Sequence, residues 1–77
     1  MDEPNNNLNT RFAMVRVWLI DRGVRNYISV FRACDPDITQ EEADRIAYWW
    51  KAHTRLEITD EPLLARLEGI VEHLKRA

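Results

Sequence analysis

Residues 11–33 read RFAMVRVWLIDRGVRNYISVFRA, and how they fold sets the architecture of the whole chain. The stretch is dense in β-branched and aromatic residues: Phe12, Val15, Val17, Trp18, Ile20, Val24, Tyr27, Ile28, Val30 and Phe31. Such side chains fit a pleated, half-buried surface. In the middle lies Asp21-Arg22-Gly23, where Gly23 can take positive φ without steric cost. The residue types therefore predict two antiparallel strands joined by a tight turn at Arg22-Gly23.

In that register the side chains sort into two faces. Ala13, Val15, Val17, Leu19, Ile28 and Val30 form an aliphatic one. Phe12, Met14, Arg16, Trp18, Ile20, Arg25, Tyr27, Ser29 and Phe31 form an aromatic one studded with arginine. A three-residue loop closed by Ile20 and Val24 would mix the two sets, because a one-residue slip turns every side chain over. A helix over residues 9–22 competes with the strand. Its apolar residues spread almost all the way round the wheel, a pattern that suits a wholly buried helix better than a surface helix of so small a protein. The strand reading is preferred.

Beyond residue 33 the punctuation is helical. Thr39 stands three residues before Glu42, the spacing of a capping box. Ala43, Ile46, Ala47 and Trp50 follow with helical periodicity and predict a buried stripe, with Trp49 and His53 on one flank. Asp60 is placed to cap a further helix that has Pro62 in its first turn. In it, Leu63, Leu64, Leu67, Ile70, Val71 and Leu74 share a band about 120° wide. The expected helices run over about residues 40–53 and 61–76, and alternation over residues 55–58 suggests a short third strand. The expected fold is thus α+β, a small ββαβα domain whose antiparallel β-hairpin is covered on one face by two helices. Its core would hold Val15, Val17, Ile46, Trp50, Leu67, Ile70 and Leu74. Residues 1–10 are expected to be a flexible tail and residues 11–77 a single domain.

The chain has 77 residues and a net charge of −2, so its overall charge does not favour nucleic acid. The distribution is uneven. Residues 11–32 carry Arg11, Arg16, Arg22, Arg25 and Arg32 against Asp21, whereas residues 33–77 hold six bases and ten acids. One cysteine precludes an internal disulfide. The acidic, polar start lacks the features of a signal peptide, and no apolar run reaches the roughly 20 residues of a membrane span. These features point to a cytoplasmic protein with no membrane role.

Catalytic and metal-binding patterns are weak. Ser29, the one serine, has no histidine or acid near it in sequence. Cys34 sits beside Asp35 and Asp37, whose charges would raise a thiol pKa and oppose activation. Cys34, His53 and His73 lack metal-ligand spacing, and Gly23 and Gly69 cannot make a phosphate-cradling loop. No enzyme, cofactor or metal is expected. The expected function is that of a small non-enzymatic module, an adaptor or inhibitor, that binds a protein partner or forms a homodimer. Arg16, Trp18, Arg25, Tyr27 and Phe31 on the hairpin's aromatic face, with Trp49, are the expected contact residues, because aromatic residues and arginine are enriched in interface cores. The alternative is a nucleic-acid-binding regulator. It would stack bases on the sheet face or, were the chain all-helical, use a helix-turn-helix with residues 39–53 as recognition helix. Against the latter stand Glu41, Glu42 and Asp44, which would meet phosphates.

Overall fold

The computed structural model describes residues 4–52 and 58–77, with side chains from Leu8 onward. Four helices follow one another: α1 (Pro4–Asp21), α2 (Tyr27–Cys34), α3 (Gln40–Lys51) and α4 (Glu61–Arg76). Among the described residues there is no strand, so the expected hairpin and the ββαβα fold are replaced by an all-helical domain. Both supposed strands of residues 11–33 are helical, in α1 and α2. Residues 4–10, expected as tail, belong to α1. The suggested third strand lies outside the described residues except for Ile58, which is buried and in no strand.

Gly23 does take positive φ, 78°, but it ends a helix instead of turning a hairpin. Its N–H donates to the Ile20 carbonyl at 2.9 Å, and the Val24 N–H donates to the Leu19 carbonyl at 3.0 Å. This pair of bonds is the Schellman arrangement, which satisfies two of the last carbonyls of a helix. Val24 then packs against the core that contains Leu19, as the hydrophobic contact of that motif requires. The turn was legible, but its helical partner was not.

The other helix starts are capped by side chains. Asn26 accepts from the Ser29 N–H, and Asp60 accepts from the Leu63 N–H. At α3 the full capping box forms: Thr39 Oγ1 accepts from the Glu42 N–H at 3.1 Å, and the Glu42 carboxylate accepts from the Thr39 N–H at 3.0 Å. That return bond is the largest of the influences holding the Glu42 carboxyl below the usual range. Helices α3 and α4 run almost as the sequence predicts.

α1 and α4 make the principal interface, and they run in the same direction. The Ile58 N–H, just before α4, donates to Asn9 Oδ1 at 2.9 Å. Two residues further along α1, Arg11 grips Glu68 through Nε at 2.9 Å and Nη2 at 2.6 Å, with Nη1 reaching Glu61 at 3.1 Å. Near the far end the Lys75 ammonium sits 6.0 Å from the Trp18 ring. The basic and acidic stretches of the sequence are therefore folded against each other.

The core draws Phe12, Val15 and Leu19 from α1, Phe31 from α2, Ala43, Ile46 and Trp49 from α3, and Leu63, Leu64, Leu67, Ile70 and Val71 from α4. Ile38 and Ile58 close its edges. Four of the expected core residues are there: Val15, Ile46, Leu67 and Ile70. Trp50 and Leu74 are only half-buried, and Val17 is exposed. On α3 the buried stripe runs through Trp49 instead of Trp50, and Phe12 of α1 meets both indoles edge-on, at 5.6 Å and 6.3 Å between ring centres.

Candidate functional site

The residues expected to form one binding face are dispersed. Phe31 and Trp49 lie in the core. Tyr27 stacks on Trp50 with ring centres 3.7 Å apart and planes within 3° of parallel. Burial pushes the Tyr27 phenol above its ordinary pKa, with the charge of Arg16 pulling the other way. Arg16 is fixed on the same indole: its guanidinium carbon lies 5.3 Å from the Trp50 ring centre, and its Nε donates to the Trp50 carbonyl at 3.2 Å. These groups form an aromatic and guanidinium clasp that ties α1, α2 and α3 together. Arg25 is exposed in the connection between α1 and α2.

Trp18 has a different setting. It is half-buried on α1 beside α4, with the Arg22 guanidinium 4.8 Å and the Lys75 ammonium 6.0 Å from its ring centre. Its outer edge lines a groove of about 760 Å³ between α1 and α4, together with Met14 and Val17 from α1 and Val71 and Glu72 from α4. The Arg11 bridge to Glu61 and Glu68 closes the start of that groove, and the same hydrogen bonds hold the Glu68 carboxyl below the usual range.

Continuous with the groove is the outer face of α1. Met14, Val17 and Ile20 are 68%, 60% and 48% exposed. With 100° per residue, Thr10, Ala13, Met14, Val17, Ile20 and Asp21 occupy a sector of roughly 120° opposite the Phe12–Val15–Leu19 core stripe. Between residues 10 and 21 that sector contains no Lys, Arg or Glu, and its polar residue Thr10 and acidic residue Asp21 stand at the two ends of its length. The spread of apolar residues round the wheel, which counted against a helix, thus has its explanation: α1 is apolar on its inside and on its outside. A surface helix of this kind leaves an apolar stripe in water.

The helix-turn-helix geometry fares differently. α2 and α3 are consecutive helices in contact, joined by Asp35–Thr39. The outward residues of α3, however, are Gln40, Glu41, Asp44, Tyr48 and Lys51, and Gln40 is bonded to Asp44 at 2.9 Å. A recognition helix approaching phosphates would present two acids against one base.

A smaller cleft is lined by Cys34, Asp35, Arg66 and His73. Arg66 is fully engaged there, at 3.0 Å from Asp35 and 2.9 Å from Glu42. Among the described residues no three His, Cys, Asp or Glu side chains are grouped to hold a metal ion, and no helix is long and apolar enough to cross a membrane. His53, expected on the flank of α3, lies outside the described residues.

Fold and surface together define a small all-helical domain that carries on its first helix an apolar stripe free of Lys, Arg and Glu. No protein-family model matches the chain, and no curated protein or solved structure does either.

Proposed function

We propose that this chain is a small non-enzymatic interaction module whose docking surface is the outer face of α1 with its groove to α4. The observation that carries the reading is the exposure of Met14, Val17 and Ile20 along one stripe free of Lys, Arg and Glu. Apolar surface returns about 25 cal/mol per Å² when removed from water. A stripe of three large apolar side chains left in solvent is accordingly a latent source of binding energy. Depletion of charge and the presence of Met and Trp are the compositional marks of an interface core. Trp18, held between Arg22 and Lys75, supplies a pre-ordered anchor at the edge of the stripe, which lowers the entropy lost on binding.

The reading is tested by placing a benzophenone amino acid at Met14 and, as control, at Tyr48, which is 60% exposed on α3. After irradiation in the native host, covalent protein adducts are expected from position 14 and not from position 48. Equal yields from the two positions, or none from position 14, would remove the α1 face from consideration.

A further inference from the structure

We infer that the occupant of this face is a second copy of the chain, its α1 lying antiparallel on the first; this rests on the docking surface proposed above. The direction follows from charge. Beside the first turn of the stripe, at Thr10, Arg11 stands against Glu61 and Glu68, an excess of one negative charge. Where they end, Arg22, Arg25, Lys75 and Arg76 stand against Asp21 and Glu72, an excess of two positive charges. Because the two helices run the same way, the charges flanking the stripe change sign along its length. An antiparallel pair sets the negative end of each copy beside the positive end of the other, whereas a parallel pair would set like ends together.

The stripe is also self-complementary in detail. In an antiparallel pair centred between Met14 and Val17, each Met14 stands level with Val17 of the second copy. Each Thr10 hydroxyl then stands level with the Asp21 carboxylate of the second copy, a donor facing an acceptor. The two polar residues at the ends of the stripe are thereby matched, and the middle is apolar throughout. Such a two-fold arrangement is isologous and closes on itself.

Size sets the strength. Stable complexes bury roughly 800 Å² per partner, and residues 10–21 of one helix span only about 18 Å. The groove beside Trp18 and Val71 enlarges the contact, but it remains in the low range of area. A contact of that size falls in the class of weak, transient associations, so the dimer is expected to form at the upper end of the concentration range.

Sedimentation equilibrium of the full chain from about 1 to 500 μM reads this directly. The expected mass rises from 9.2 kDa toward twice that value. Val17→Glu should hold the protein at the monomer mass across the range with an unchanged circular dichroism spectrum, and Tyr48→Glu should dimerise like the parent. In a Cys34→Ala background, a mixture of Thr10→Cys and Asp21→Cys chains should give the mixed disulfide; predominant homodisulfides would overturn the antiparallel arrangement. A parent that stays monomeric at every concentration overturns the second copy. If the probe at Met14 still forms adducts of another mass, the docking face stands with a different occupant. If it forms none, both readings fall together.

Discussion

Phe12→Ala is expected to destabilise the domain by about 3–5 kcal/mol, a large share of the 5–15 kcal/mol that holds a typical domain together. Phe12 is 1% exposed and sits edge-on to both Trp49 and Trp50, so its removal opens a cavity where α1 crosses α3. For a chain of this length each kcal/mol shifts the melting temperature by roughly 4–8 °C, so the midpoint should fall by at least about 12 °C. Val17→Ala, five residues along the same helix, should change stability by no more than about 0.5 kcal/mol, since Val17 is 60% exposed. The contrast carries the information: a hairpin would have placed Val17 inside and Phe12 outside. Thermal melts of the two variants with equal cost would contradict the helical α1.

Leu67→Ala is the second large effect, at about 2–5 kcal/mol. Leu67 is fully buried on α4, between Leu63 and Leu64 in the turn before it and Ile70 and Val71 in the turn after, on the face that packs against α1. Its neighbours are held on rigid helices and cannot collapse into the space, which places the cost toward the upper part of that range. Chemical denaturation should show a lower midpoint with an unchanged slope, the mark of lost stability in an unaltered fold. A midpoint within error of the parent would mean that α4 is not packed on α1 through this face.

The helices α3 and α4 were legible because each combines a cap with helical periodicity. Thr39 and Glu42 announce one start, Asp60 and Pro62 the other, and a stripe of apolar residues follows in both. α1 offered neither sign. Its apolar residues go all round, and Val, Ile, Phe and Trp favour strands when nothing else decides. The helix penalty for such residues is at most about 0.7 kcal/mol each, which burial of Phe12, Val15 and Leu19 readily exceeds. Gly23 was correctly read as a positive-φ position, but a Schellman glycine and a hairpin glycine look alike in sequence.

The site was illegible for the same reason. Once residues 11–33 form two helices, the side chains that alternate in a strand fall on different sides of the molecule. Phe31 and Trp49 go to the core, and Arg16 and Tyr27 close on Trp50. On α3, Trp49 and Trp50 project about 100° apart, and which of them is buried is set by the packing of the other helices, which the α3 sequence does not carry. The one signal of the proposed docking face present in the sequence is the lack of amphipathicity over residues 9–22. In a domain too small to bury a helix on all sides, that pattern marks an apolar surface facing water.

Thiol accessibility along α1 tests the central claim most directly. Single cysteines at Phe12, Met14, Val15, Val17, Leu19 and Ile20, in a Cys34→Ala background and at a few micromolar, would be alkylated under native conditions and referenced to the unfolded chain. Positions 14, 17 and 20 should react nearly as fast as unfolded protein, and positions 12, 15 and 19 should be strongly protected. Protection that alternates every second residue, with 17 shielded and 12 open, would contradict the helix and the face built on it.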